Sequence, residues 1–414
     1  MNMPTIPKGA LDGIRVLDMT RVIAGPYAGQ ILGDLGAEVI KIERQGEGDD
    51  IRRLGPPWLK DDKGEDREDE STYGQSVNRN KLSLTIDYAQ TEGAQLIRDL
   101  AAKSDVLLEN YRTGTLSKYG LDYEELRKIN PRLIYCSVTG FGQTGPYAGR
   151  SGYDYLVQAM AGVMSVTGPR DGESGAGPTR VGVPIADVCG GLYAAIGILA
   201  ALNHRNVSGE GQHIDISLFD AQVSALMNTF SSYFNSGKEL GRTGNDHPSA
   251  APYGVYPVDD GFILIATFND REFSRLARLV GHAEWIEDPR FAKNGARVAN
   301  RQALADLLTA ALKGKSKAEW EKLFNDGTVS CGPINGMPDL ERDPHALERG
   351  TVVNMHHPIN GTIRTAASPL RLSASPVSYR SAPPTIGEHT DQILQDLMGL
   401  DHAAIAGLRE RNII

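Results

Sequence analysis

The stretch from Pro178 to Arg205, PTRVGVPIADVCGGLYAAIGILAALNHR, places one carboxylate, Asp187, ahead of two glycines and a long apolar run. No charge occurs from Val188 to Leu202. Leu, Ala and Ile dominate that run, which predicts a buried helix. Asp187 then falls at or near the helix N-cap, where free backbone N–H groups and the positive end of the dipole favour a carboxylate. Two readings follow. Asp187 is a plain cap, or it is a carboxylate held at a helix start where Gly190 and Gly191 leave the backbone open to a large ligand. Cys189 is a weaker candidate nucleophile. No histidine or cation neighbours it in sequence, so it reads as a small buried apolar group.

A second signal comes from cations. Arg21, Lys41, Arg44, Arg79, Lys81, Arg112 and Lys118 cluster near the ends of predicted strands. Most such charges are ordinary solvated ones. In a chain of net charge −9, however, basic residues at strand-end loops suggest a local phosphate site. The acidic balance argues against nucleic acid or an anionic membrane as the main partner. Metal chemistry has no motif here: the chain lacks H-E-x-x-H and C-x-x-C, and adjacent His356 and His357 read as surface loop. P-loop, G-x-S-x-G and G-x-G-x-x-G patterns are missing too, and without the last Glu43 only superficially suits a ribose-binding acid. His247, in GNDHP, fits either a site wall or a structural role.

The elements that must position these groups alternate. Ile14–Met19 predicts a strand, Thr20–Pro26 a turn followed by a helix, and Ala37–Glu43 a second strand. Residues 45 to 75, dense in Asp, Glu and Gly, predict a solvated, mobile surface segment. Strand signals resume at Leu82–Asp87, Asp105–Glu109 and Leu133–Val138, with a helix at Glu92–Lys103. This is the pattern of a mostly parallel sheet covered by helices. Its ligands would gather at Thr20–Pro26, Asn110–Gly114 and Thr139–Gly145, past the strand C-termini. A helix is expected at about Asp220–Phe234, a hairpin at Val255–Thr267, and amphipathic helices over residues 270 to 325. The domain reading is 1–220 for a large domain, 221–330 for a smaller α+β domain, and 331–414 for a return to the first. Three scattered cysteines among 414 residues and the lack of an apolar leader give a reduced, cytoplasmic protein as the expectation. The apolar run after Asp187 is read as too short, and too rich in Gly and Ala, for a membrane span.

Several phrases, in order along nearly the whole chain, resemble the class III (family III) CoA-transferases. They are VLDMTRVIAGPYAGQILGDLGAEVIKIER, SVNRNKLSL, DVLLENYRTGTLSKYG, SVTGFGQTGPYAGRSGYD, PIADVCGGLYAAIGILAAL, GNDHPSAAPYGVY and GEHTDQIL. The resemblance implies an α/β chain with a Rossmann-like large domain, built on a parallel sheet and formed by both chain ends. A small domain lies in the middle, and two chains interlock as a homodimer. It implies that Asp187 is the covalent nucleophile of CoA transfer, with coenzyme A or acyl-CoA as substrate and no permanently bound cofactor. Carried over residue by residue, Arg44 and Lys81 would hold nucleotide phosphates, with Arg112, Lys118 and Asn110 nearby. Val22, Ile23 and Ala24 would form the loop after the first strand. Phe141, Tyr153, Gly190, Gly191, Asn245 and His247 would face the substrate.

Two departures carry information. Ile23 stands where the formyl-CoA transferase branch has glutamine, which argues against formyl or oxalyl substrates. Tyr153, in Gly152-Tyr153-Asp154, stands where the related 2-methylacyl-CoA racemases have a histidine acid/base, and a phenol titrating near about 10 is a poor substitute. Transfer from a donor acyl-CoA to a carboxylic acid is therefore favoured over racemisation or non-catalytic CoA binding. SVNRNK and GNDHP are similar to members that use succinyl-CoA with another dicarboxylic acid.

Overall fold

The structure, a computed structural model, describes residues 9–61, 63–359 and 361–414. The chain divides into two compact units. The larger is built from the chain up to Gly162, from Gly182–Met227 and from His345–Ile414. The smaller takes Val163–Val181 and Asn228–Pro344. The glycine-rich stretch Val163–Val181, read as part of the large domain, thus belongs to the smaller unit, which also runs on past residue 330 to Pro344.

Six strands make the sheet of the larger unit: β1 (Arg15–Asp18), β2 (Glu38–Glu43), β3 (Lys81–Thr85), β4 (Val106–Glu109), β5 (Ile134–Thr139) and β6 (His213–Ser217). All neighbours are parallel and the order is β3-β2-β1-β4-β5-β6. The inner strands are buried on both faces, which explains their continuous apolar sequence. Side-chain alternation divides the core into two layers. Leu17, Ile40, Leu84 and Leu107 face one, with Ile393, Leu394, Ile405 and Leu408 of the C-terminal segment. Val16, Val39, Leu108 and Ile134 face the other. Both chain ends therefore build this unit, but every strand of its main sheet lies before residue 218, and the C-terminal return supplies helices and a separate two-stranded hairpin, Val352–His357 with Gly361–Ala366.

The strand order reverses beside β1, so the loops after β1 and β4 diverge and leave a crevice at the sheet's C-terminal edge. Helix α1 (Ala24–Asp34) leaves the first of those loops. Helix α2 (Asp154–Met160) and helix α3 (Ile185–Ser208) complete the surroundings. Gly209, at φ 81°, ends α3 with its N–H on the Arg205 carbonyl. At 24 residues α3 is long and apolar enough to cross a membrane by length and composition, contrary to the expectation from the sequence. Nearly half of its apolar window is packed inside the larger unit.

The acidic segment 45–75 is not a solvated loop. It folds into a 3-10 turn (Asp50–Arg53), a hairpin (Trp58–Lys60 with Asp66–Ser71) and a second 3-10 turn (Gly74–Ser76). Arg52 is its anchor. Buried to 3% exposure, it binds Glu43 through Nε at 2.8 Å and Glu70 through Nη1 at 2.8 Å. These bonds outweigh burial and hold the Glu43 carboxyl down to about 2. Charge-assisted pairing thus orders a segment whose composition suggests disorder. Glu43 is thereby committed inside the protein and is not a ribose-binding acid.

The smaller unit carries a three-stranded antiparallel sheet, Tyr253–Val258, Gly261–Ala266 and Ser330–Pro333, packed by helices around Phe273, Phe291, Trp320 and Phe324. The helix expected over Asp220–Phe234 breaks at Leu226, next to the boundary between units.

Candidate active site

Asp187 is the third residue of α3, not its N-cap; that position is Pro184. The cap is supplied from α2. Asp154 Oδ1 accepts the N–H of Ala186 at 2.8 Å and of Asp187 at 3.2 Å, while its Oδ2 accepts Gln158 Nε2 at 2.6 Å. One buried carboxylate therefore satisfies the orphan donors at the α3 start and leaves the other free to do something else. The Asp187 side chain accepts no hydrogen bond among the described residues. Burial, and then the charge of Asp154, push its carboxyl up to about 7. Tyr73, from the segment read as mobile loop, also faces this pair. Its phenol is raised by burial and then by Asp187, Tyr155 and Asp154. The sequence reading missed Tyr73 because its surroundings look disordered by composition.

Asp187 opens into a cavity of about 240 Å³ at the switch point of the sheet. Val22, Ile23 and Ala24 line it from the loop after β1, Asn110 and Arg112 from the loop after β4, and Tyr153 and Asp154 from the start of α2. The loop after β1 is held rigidly. Val22 sits at φ 69°, a strained choice for a β-branched residue. Its N–H donates to Asp49 Oδ1 at 3.0 Å, and Asp49 Oδ2 is bound by the fully buried Lys41 at 2.8 Å. Asn110 clamps the preceding residue: it accepts the Arg21 N–H and donates to the Arg21 carbonyl. Past this turn α1 begins without a side-chain cap, and the N–H of Ala24, on the cavity wall, donates to no acceptor among the described residues.

Other expected site residues of the larger unit do not line this cavity. Lys81 is fully buried, and its three N–H donors are spent on Asp18 Oδ2, the Pro26 carbonyl and Asn78 Oδ1, at 2.8, 2.8 and 3.0 Å. It is an internal ion-pair partner, not a phosphate ligand. Gly190 and Gly191 serve packing rather than substrate. A Cβ on Gly190 would stand 2.3 Å from Leu218 Cδ2, and one on Gly191 would stand 2.6 Å from the Ala24 carbonyl oxygen. Phe141 is buried, packed edge-on by Tyr147 and tilted against Phe219. Asn245 and His247 belong to the smaller unit, where the His247 ring stacks on Tyr253. Lys118 is exposed on a 3-10 turn. Arg44, paired with Glu47, lines a second cavity with Tyr88, Tyr111 and Tyr119. The Cys189 thiol is pushed up by burial and then by Asp154, which disfavours the reactive thiolate.

The sequence model of CoA-transferase family III matches residues 11–390. The chain belongs to this family. Across 397 residues it is 42% identical to the succinate–glutarate CoA-transferase of Agrobacterium fabrum, covering 96% of this chain and 98% of that one. The succinyl-CoA:glutarate CoA-transferase of Homo sapiens is 39% identical over 98% of this chain and 90% of its own. Among solved structures, a CAIB/BAIF family protein from Brucella suis is 43% identical, with a TM-score of 0.84 over 94% of this chain and 100% of that one. This family III CoA-transferase is thus an enzyme whose substrates are CoA thioesters. Its Rossmann-type sheet order and the cavity at its switch point are where such a fold places ligands.

Proposed function

We propose that this transferase moves CoA from succinyl-CoA to a second dicarboxylic acid, with Asp187 as the covalent carrier. The observation that carries the reading is the Asp187 carboxylate itself, unbonded and half-buried at the sheet's switch point. The dicarboxylic substrates are those named for the relatives above.

The steps balance without an added proton or metal. A carboxylate oxygen of Asp187 attacks the thioester carbonyl; the C–S bond breaks and the CoA thiolate leaves, giving a mixed anhydride. The thiolate then attacks the Asp187 carbonyl and expels succinate, leaving an aspartyl-CoA thioester. The acceptor carboxylate attacks that thioester, and the released thiolate takes the acceptor acyl group and frees Asp187. Splitting one exchange into acyl transfers of similar energy is the gain of covalent catalysis. Each step passes through an oxyanion, and the uncapped start of α1, with the Ala24 N–H on the cavity wall, suits it. The N–H groups at the start of α3 do not, because Asp154 already holds them. The second cavity, with Arg44 beside three tyrosines, suits an aromatic base and phosphate, the far end of CoA.

The test is direct. The protein is incubated with succinyl-CoA and glutarate, thioester products are followed by mass spectrometry, and hydroxylamine is added to trap acyl-enzyme. Glutaryl-CoA and a hydroxamate at Asp187 are expected. Transfer with Asp187 never modified would overturn the covalent route, and no transfer to any acid of a broad panel would overturn the reading.

A pH prediction follows from Asp154. Asp187 reacts as the carboxylate, so kcat/KM falls on the acid side of about pH 7 in the wild type. Asp154→Asn keeps an amide oxygen to accept the same two N–H groups but removes the charge; Tyr73 stays neutral throughout. Asp187 then ionises at lower pH and the acid limb moves down. A limb that stays put, or moves up, would refute the coupling.

A further inference from the structure

Three arginines line the cavity around Asp187: Arg21, Arg112 and Arg150. Arg21 is spent on Asp50, with Nη1 at 2.9 Å from Oδ2. Arg112 gives Nε to the Gly149 carbonyl at 2.6 Å and lies on the loop where the resemblance places CoA contacts. Arg150 is different. Among the described residues it makes no ion pair. Its guanidinium rests 4.7 Å from the centre of the Tyr147 ring and 5.4 Å from that of Phe141. Phe141 is itself buried, and its ring packs against Tyr147 and Phe219. The cation thus rests over two aromatic rings, with Nη2 4.0 Å from Met160 Sδ, and keeps N–H donors on Nε and Nη1 for an anionic acceptor.

The position of this cation relative to the nucleophile gives it meaning. Burial and Asp154 raise the Asp187 carboxyl, and among the described residues no cation pairs with it. Arg150 therefore shares the cavity with Asp187 but is not its partner. A ligand that joins them needs one carboxyl at Asp187 and a second anionic group some distance along its chain. An α,ω-dicarboxylic acid has that form. A monocarboxylic acid of equal length would bring a methyl group to this exposed guanidinium and leave it without an ion-pair partner.

We infer that Arg150 is the specificity-determining residue of this site, pairing with the far carboxylate of a dicarboxylic acid while the near one reacts at Asp187. The inference rests on the transferase reading above. Bidentate pairing of guanidinium with carboxylate supplies both energy and orientation.

The test compares glutarate with pentanoate, which have the same chain length, as acceptors from a fixed succinyl-CoA donor. In a double-displacement reaction kcat/KM for the acceptor reports only its reaction with the CoA-charged enzyme, so the ratio of the two values cancels any effect on the donor. In the wild type the ratio should favour glutarate by about 10²-fold or more, and Arg150→Gln should collapse it by about 10²-fold. Arg150→Lys, which keeps the charge but loses the fork, should retain an intermediate ratio. Arg112→Gln should leave the ratio within about threefold of wild type, since its Nε is already given to the Gly149 carbonyl. A wild-type ratio near one overturns the inference. So does a ratio unchanged in Arg150→Gln, or one that collapses only in Arg112→Gln. Failure of the wild type to charge any acid would instead refute the transferase reading beneath it.

Discussion

Asp187→Asn should lose CoA transfer by about 10⁴-fold or more in kcat, the scale on which removing a covalent nucleophile leaves only binding and oxyanion stabilisation. Binding of the CoA thioester, read by calorimetry, should stay near the wild-type value, because the amide fills the same space. Turnover close to wild type would remove Asp187 from the reaction. The substitution has a second expected result with the opposite sign. The Asp187 carboxyl titrates at about 7 in the folded chain against an ordinary 3.8, so its ionised form opposes folding. That penalty is absent below about pH 4, grows as pH rises towards about 7, and is full above it. Asparagine removes the penalty. The variant should therefore be more stable than wild type by about 1–2 kcal/mol near pH 8, less than complete burial would give because solvent reaches the cavity. Thermal unfolding at about pH 8 and pH 4 checks the sign, since the gain must fade at the lower pH.

Lys81→Met should unfold the protein more readily rather than weaken its grip on CoA. The substitution strands Asp18, itself fully buried, without its cation. Breaking one side of such a pair costs about 3–5 kcal/mol. Urea titration should show that loss. The double substitution of Lys81→Met with Asp18→Leu should recover part of it, because no charge is then left behind. Asp18 also accepts the Thr20 N–H at 2.9 Å, so recovery will be incomplete. A Lys81→Met variant of wild-type stability with a raised KM for succinyl-CoA would restore the phosphate role.

Lys81 shows how far the sequence could be read. Its place after a strand-end loop is visible in the order of residues, but whether its ammonium faces inward is not. Strand β3 puts Lys81 beside Val39, and the end of the side chain meets Asp18, sixty-three residues earlier. The strands themselves were legible because parallel strands buried on both faces are nearly pure apolar runs. Asp187 was legible through its isolation in such a run, yet its role as cap was misassigned. The true cap, Asp154, lies on another helix, and a contact across thirty-three residues leaves no local pattern. The same holds for residues 45 to 75. Their charge density reads as disorder until Glu43, Arg52 and Glu70 are brought together. Gly190 and Gly191 were read as room for a ligand, whereas the room is taken by α1, Leu218 and Ala24.

The turn at Val22 is settled while the chain folds, because Asp49 and Lys41 hold it whether or not a thioester is present. Ordering a free residue costs about 1–2 kcal/mol, and that cost is absent when a ligand reaches this wall. The heat of binding should then reflect desolvation and new bonds, with little conformational entropy lost by the loop. Donor and acceptor acids meet the same unyielding surface in turn, so one rigid contour serves both halves of the exchange.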